Sequence, residues 1–595
     1  MSRNTSLAET PGLLGLYGAF WQHADGARIQ VVGSSTLLIG SQLTRLTIPW
    51  LTAQAINAIQ LSGAGSTRDA AVLIMLILLA TVVSWMMHGP GRVIERSIAV
   101  RVRQHLADRL YKRISELPLA WHEAHHSGET LHRIQKTTLA LSDFAGSQFI
   151  YLQNLVNLIG PIVALWLLSN ATGSLALAGF LLVGFVIVRF DKVLMTLVRT
   201  QNEAERRYSS ALVDAVGNIS TVITLRLQKG TRALLSSRLT AVFKPLRRNI
   251  LINETKWCAV DLLTACLTWG LVAAYAWSAQ QHNGTVLLGN VFMVYQYANQ
   301  ATGVISSLAM HYQNFTRMQV DYSSADPIWN AADRLVPQGG VPDDWRNIQI
   351  EGLEFTYSRR RRDTPLLHGV SLTLERGKAI ALVGPSGSGK TSLMRVIAGL
   401  YDADRGRFTV DGTVLVGLRG LGSLATLVPQ DAEVFEGTIL DNITFGADYS
   451  AEVVTNALRI SGFDSVVASL PLGLETLISE RGLNLSGGQK QRMALARGIL
   501  AAQESSVLLL DEPTSSLDSV TEARVFTELR QAAPKACIVA AVHRLNLLSR
   551  FDTVVLMEAG RVVDSGSVPD LLERQSLFRE LWQRSTFADS GVRAA

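Results

Sequence analysis

The sequence predicts two architectures in one chain: a membrane α-helical bundle of six spans, followed by an α/β domain built around a glycine-rich phosphate loop. Three observations carry this. Apolar content is concentrated in the first half, where six runs approach the roughly 20 residues needed to cross a bilayer. The second half holds Gly384-Pro385-Ser386-Gly387-Ser388-Gly389-Lys390-Thr391-Ser392 between the apolar run Ala379–Val383 and a helical pattern ending at Gly399. Strand, glycine loop and helix in that order are the context a phosphate-binding loop (P-loop) requires. Finally, charged residues are 17% of the 595 and hydrophobic ones 48%, too apolar a balance for a wholly soluble chain of this length.

Taken in order, the expected layout is an N-terminal cytoplasmic segment (1–28), a transmembrane region (29–325), a linker (326–346), an α/β P-loop NTPase domain (347–585) and a tail (586–595). Leu13 to Trp21 is amphipathic and predicts an elbow helix on the inner membrane face rather than a signal peptide, because no charged segment and small-residue cleavage site bracket an apolar core there. The spans centre on 31–58, 70–91, 144–169, 172–190, 258–278 and 289–311. Between the second and third lies 92–138, rich in arginine (Arg92, Arg96, Arg101, Arg103, Arg109, Arg113), and between the fourth and fifth lies 191–256, also basic (Arg199, Arg206, Arg207, Arg247, Arg248). The other connections are short and nearly free of Lys and Arg, so the positive-inside rule puts both long segments and both termini in the cytoplasm. A helical arm of about 20 residues in each would add roughly 30 Å of reach.

The formal net charge of +6 is explained by these membrane-flanking residues, since no nucleic-acid motif accompanies it. Cys258, Cys266 and Cys537 lack paired or metal-type spacing and are expected to be inert thiols.

In the P-loop, glycines let backbone N–H groups turn onto phosphate oxygens at a helix N-terminus, Lys390 adds a point charge, and the Thr391 hydroxyl is placed to ligand Mg²⁺. Downstream come Leu485-Ser486-Gly487-Gly488-Gln489 and Val507–Asp511 followed by Glu512-Pro513. The apolar run ending at Asp511 predicts a buried strand that delivers a carboxylate to the metal, with Glu512 beside it to activate a water.

This set resembles the ABC transporter ATPases, whose signature is LSGGQ, and five elements stand in the family's order and spacing. The resemblance implies that Tyr357 stacks on adenine and that Gln430 senses Mg²⁺ and the attacking water. It further implies that Ser515-Ser516-Leu517-Asp518 is the D-loop and His543 the switch histidine. ATP and Mg²⁺ are the implied cofactors. Glu512, His543, Gln430 and Lys390 are the implied catalytic groups; Ser486 and Gly488 of one copy meet the γ-phosphate held by another, with Gly487 and Gln489 also among the implied nucleotide-binding residues. The sequence departs from the family at Val542, where Thr is frequent, and at Ser516, where Ala is frequent. The membrane half resembles a type I exporter, in which Leu117–Glu129 and Thr221–Gly230 are turns that touch the ATPase domains. A half-transporter of this kind in a bacterial inner membrane, working as a homodimer because every catalytic element is intact, is the implied assembly.

Cargo is expected to be amphipathic or peptide-like, with a lipid or lipid-linked sugar flippase as the alternative. Candidate residues of the path are Arg45 and Asp261, ionisable inside apolar runs, and the polar stripe Gln296, Asn299 and Gln300. Arg45 and Asp261 have a second reading as an interhelical ion pair. Gln148, Asn154 and Asn157 either extend the stripe or join helices by hydrogen bonds. Two other classes are less supported. An ATP-gated channel would be favoured by a degenerate signature or a missing Glu512, and neither is seen. His122-Glu123-Ala124-His125-His126 satisfies HExxH, the zinc-protease pattern, but it is short and lies in a segment expected to be a polar cytoplasmic turn.

Overall fold

The computed structural model describes residues 13–62, 67–125, 127–283, 285–333, 341–342, 344–357, 366–415, 419–479 and 484–591. They divide into two compact units: up to Asn330 without 116–126, and Ala331 onward together with Glu116–His126.

The first unit is helical: α1 (Leu13–His23), α2 (Arg28–Leu46), α3 (Ile48–Ser62) and α4 (Thr67–Ser115) precede the excluded turn, whose helix is α5 (Leu119–Ala124). After it come α6 (Ser127–Ala145), α7 (Gln148–Leu168), α8 (Asn170–Gly217), α9 (Ile219–Thr224), α10 (Gln228–Asn283), α11 (Leu288–Ser323) and α12 (Asp326–Trp329). The expected arms are continuations of the spans. At 1.5 Å per residue, the 49 residues of α4 run for about 74 Å from apolar to arginine-rich sequence without a break. Among the described residues four helices are long and apolar enough to cross a membrane: Arg68–Ser115, Gln148–Leu168, Asn170–Gly217 and Gln228–Gln281. The other two expected spans differ for identifiable reasons. The run 31–58 is split at Thr47, because Pro49 has no N–H to give the Arg45 carbonyl and cannot continue α2. The sixth, α11, carries the polar stripe that lowers its hydropathy.

The third span begins at Gln148 rather than 144. There the buried Glu95 of α4 accepts from the Phe149 N–H at 2.8 Å, satisfying one of the donors a helix start leaves free, and pairs with Arg92. The bundle packs α2 on α4, α3 on α11, α7 on α8 and α11, and α8 on α10. Its core includes Leu165, Phe180, Val183, Leu271, Tyr275, Val294 and Tyr297. A Cβ on Gly289 would collide with the Ala53 carbonyl, so only glycine lets α11 start this close to α3.

The second unit holds a four-stranded antiparallel sheet, β2 (Leu367–Glu375), β1 (Asn347–Phe355), β4 (Arg405–Val410) and β5 (Thr413–Leu415), in that spatial order. It also holds a six-stranded sheet in the order β12 (Arg561–Gly566), β11 (Thr553–Glu558), β3 (Ala379–Val383), β10 (Cys537–Ala541), β9 (Val507–Asp511) and β6 (Ala425–Val428), parallel except for β12. β7 (Gly437–Thr438) and β8 (Leu477–Ile478) form a short pair. The helices are α13 (Lys390–Ile397), α14 (Ile439–Thr444), α15 (Ala451–Ser461), α16 (Asp464–Ser469), α17 (Gly487–Ala501), α18 (Ser519–Ala532), α19 (Val568–Arg574) and α20 (Ser576–Gly591). β3, β9 and β10 are buried at every position, as continuous apolar runs covered on both faces must be. Helices α14 to α17 gather a separate core around Phe463, Ile439 and Met493.

Candidate functional site: an ATP site and a membrane cavity

Four neighbouring parallel strands, β3, β10, β9 and β6, end at one edge of the sheet, and each delivers a candidate residue there. β3 runs into the glycine loop, β9 ends on Asp511 and passes to Glu512, and Gln430 and His543 each follow two residues after β6 and β10. The carboxyl end of a parallel sheet is where ligands bind in open α/β folds. Gly389 caps the start of α13 at φ +99°, a conformation that favours glycine, and a Cβ there would meet Leu367 Cδ2 at 2.8 Å.

Lys390 is buried, and its Nζ donates to the carbonyls of Gly384 and Pro385 at 3.0 and 3.1 Å and to Ser388 Oγ at 3.4 Å. Burial pulls its pKa down, opposed by the charges of Glu512 and Asp511. Thr391 Oγ1 donates to Asp511 Oδ1 at 3.1 Å, while burial raises the pKa of Asp511 against that hydrogen bond. Glu512 is gripped from both sides: Gln430 Nε2 donates to one oxygen at 2.8 Å, and His543 Nε2 lies 2.5 Å from the other. Its φ of +48° is unusual for a residue with a side chain, and such strain concentrates at functional positions. Ser392 Oγ donates to the Tyr357 hydroxyl at 3.2 Å.

The signature residues stand elsewhere. Ser486 is exposed at the N-cap of α17; its Oγ accepts from the Gln489 N–H at 3.3 Å, and its own N–H donates to Gln489 Oε1 at 2.8 Å, a capping box. Gly487 and Gly488 open the helix, and a Cβ on Gly488 would meet the Ser516 carbonyl oxygen at 3.0 Å. Gln491 fixes the D-loop, donating to Ser515 Oγ at 2.7 Å and accepting from the Ser516 N–H at 2.8 Å. Asp518 caps α18 by accepting from Val520 and Thr521, and the Thr521 hydrogen bonds hold its pKa below the usual range.

Sequence reasoning missed two groups with no motif to announce them. Arg395, on α13, donates to the Tyr357 hydroxyl at 3.5 Å and pairs with Glu123 of α5 at 3.7 Å. Arg497 lies over the rings of both Phe435 and Phe445, which contact each other, and donates to the Asn442 carbonyl at 2.7 Å.

Of the HExxH pattern, the described residues show a helix, α5, that stops at Ala124, an extended His125, and Glu123 paired with Arg395. His125 stacks on Trp121 and sits 2.8 Å from that residue's carbonyl; His126 lies outside the described residues. No group of three or more potential metal ligands occurs among the described residues.

In the membrane half, Arg45 does not pair with Asp261. Its Nε donates to Ser84 Oγ at 3.0 Å and its guanidinium lies over Trp85 at 5.3 Å, whereas Asp261 is exposed on α10. The buried ion pair joins Lys256 and Asp191 instead, at 3.2 Å between α10 and α8. Gln300 donates to Asn157 at 2.8 Å, whereas its neighbour Asn299 and, one turn earlier, Gln296 are exposed. A cavity of about 770 Å³ opens between α2, α3, α7 and α11, lined by Leu46, Trp50, Gln54, Ile159, Asn290, Met293 and Tyr297 among others, and by none of the five candidate path residues.

Comparison with known proteins adds the following. The family model described as ABC transporter transmembrane region matches residues 33–305, and that described as ABC transporter matches 367–515, together more than half of the chain. The first includes most of the split run 31–58 and the first part of α11. An ATM1-type heavy metal exporter of Novosphingobium aromaticivorans is 27% identical over 96% of this chain and 95% of its own. An ABC-type oligopeptide transporter, ABCB9, of Mus musculus is 26% identical over 96% of this chain and 77% of its own. The solved structure of a bacterial Atm1-family ABC exporter with ATP bound superposes with a TM-score of 0.79 at 25% identity, covering 94% of this chain and 99% of that one. With a helical transmembrane region ahead of one nucleotide-binding domain, the chain belongs to the ABC transporters, as a type I exporter half-transporter whose ATPase is coupled to transport.

Proposed function

We propose that two copies of this chain form a homodimeric pump in a bacterial cell membrane, both termini cytoplasmic, which binds ATP with Mg²⁺ and exports an amphipathic or peptide-like cargo. The observation that carries the ATPase chemistry is the clamp on Glu512 between Gln430 and His543. Glu512 accepts the proton of the attacking water, and His543 and Gln430 hold its two oxygens in orientation. The phosphate oxygens lie on Gly384–Ser392, with Lys390 exchanging its loop carbonyls for them. The hard oxygen donors Thr391 and Asp511, with Gln430 nearby, suit Mg²⁺, which favours a carboxylate plus phosphate oxygens. Bound together, ion and nucleotide supply the phosphoryl group and neutralise its developing charge. Tyr357 offers its ring to adenine.

Support for a second copy is that Ser486 and Gly487 stand exposed at the capped start of α17. Support for an amphipathic cargo is the cavity: its lining is mostly apolar, its polar groups include Gln54, Asn290 and Tyr297, and no charged residue contributes. A heavy-metal cargo would have to bring its own ligands to such a surface. The same apolar lining favours a lipid or lipid-linked sugar as the second reading, and stimulation of ATPase by amphipathic peptides but not by added lipid separates the two.

The test is Glu512→Gln, which keeps shape and removes the base. ATP should still bind and hold two chains in a closed dimer, while turnover falls roughly 10²- to 10⁴-fold, the range for loss of a general base. Turnover near wild type would refute the assignment.

A further inference from the structure

The first cytoplasmic turn belongs to the same compact unit as the ATP-binding domain, and it brings a carboxylate to the helix that leaves the phosphate loop. Leu119 packs on the core that contains Leu393 and Val396, and one turn later Glu123 Oε1 lies 3.7 Å from Arg395 Nη1. The same Nη1 donates to the Tyr357 hydroxyl at 3.5 Å, and Ser392 Oγ donates to it at 3.2 Å. The Tyr357 ring stands edge-on to Phe355 at 4.9 Å and to Tyr401 at 5.1 Å, yet is 39% exposed. Two aromatic edges therefore limit its tilt and two donors fix its tip. Tyr401 touches both ends of this arrangement: it is buried, and the nearby Glu123 carboxylate adds to burial in pushing its phenol pKa up.

We propose that Arg395 is a positioning residue that joins the first cytoplasmic turn to the adenine platform: Glu123 fixes Arg395, and Arg395 with Ser392 fixes the ring of Tyr357. This rests on the reading of Tyr357 as the surface on which adenine stacks. It adds that nucleotide affinity depends on the seating of the turn. By linkage, bound nucleotide must favour the seated turn to the same degree. Arginine's long side chain loses considerable rotamer freedom when held, so without Glu123 the guanidinium spends less time at the tyrosine. The pairs are partly exposed and loose, so the effect is a change of several-fold rather than a loss of binding.

The experiment is steady-state ATPase of the full chain in lipid nanodiscs. Arg395→Met should raise the KM for ATP about three- to tenfold while kcat stays within about twofold, and Arg395→Lys should recover most of the loss. Tyr357→Phe, which keeps the ring and removes the acceptor, should raise KM by a similar factor. Glu123→Gln should raise it too, and Glu123→Gln combined with Arg395→Met should be no worse than Arg395→Met alone. Should Arg395→Met not fold, Tyr357→Phe decides. If Tyr357→Ala leaves KM unchanged, the adenine reading falls and the inference with it. If Tyr357→Ala raises KM but Tyr357→Phe and Arg395→Met do not, the positioning role alone is overturned, and additive losses from Glu123→Gln and Arg395→Met overturn the link to the turn.

Discussion

In the ATP-binding domain Gln430, Glu512 and His543 arrive from adjacent strand ends and bond to one another, whereas in the membrane bundle polar side chains meet in small local groups: Arg45 with Ser84 and Ser41, Asn57 with Asn290 and Tyr275, Gln300 with Asn157, Lys256 with Asp191. The difference follows from the backbone. A parallel sheet collects its loops at one edge, so side chains distant in sequence converge. Long helices touch along their lengths, and each polar residue finds only what the facing helix offers at that level. Damage in the first region should therefore appear in catalysis and damage in the second in stability.

The largest expected effect on stability is at Lys256, whose pair with Asp191 is almost fully enclosed. Lys256→Met strands a buried carboxylate and should cost about 3 kcal/mol or more, while Lys256→Met with Asp191→Leu should recover most of it. Denaturation in detergent measures both; a double variant as unstable as the single would mean that the pair is not what joins α8 to α10.

A smaller effect is expected at Gln300, where Gln300→Leu leaves Asn157 without its partner and should cost about 1 kcal/mol, near the usual worth of an interhelical hydrogen bond in a membrane. Gln296→Leu and Asn299→Leu, both exposed, should stay within about 0.5 kcal/mol. Equal losses at all three would erase the distinction between the joined and the open part of the stripe.

A pH-dependent effect is expected at the seating of α1. His23 is buried with its Nδ1 unpartnered among the described residues, and burial, then Arg109 and His105, lower its pKa from 6.5 to about 4. The unfolded ring takes up a proton at higher pH than the folded one, so the stability it contributes is present above about pH 6.5 and is lost as pH falls through about 4. His23→Phe should flatten the pH dependence of Tm across that window, and an unchanged slope would remove His23 from the account.

Much of the catalytic end was legible because short-range sequence dictates it. A run such as Val507–Asp511, short and closed by a charged pair and Pro513, reads as a buried strand, and the glycine loop after Ala379–Val383 leads into a helical pattern. The membrane spans were legible as apolar runs, but Arg45 and Asp261 were drawn together only by charge; the register of α2 on α4 puts Arg45 beside Ser84. Likewise HExxH held as a pattern of letters until α5 ended at Ala124 and spent Glu123 on Arg395.

By itself the sequence determined the order of membrane region and nucleotide-binding domain and the strand, glycine loop and helix from Ala379 to Ile397, since hydrophobic run length and local backbone conformation are properties of neighbouring residues. Only the tertiary structure decided which distant side chains meet: Glu512 with Gln430 and His543, Arg395 with Glu123 and Tyr357, Lys256 with Asp191. Such contacts depend on strand order and helix register, which are set by the packing of whole elements and leave no mark in the spacing of a few residues.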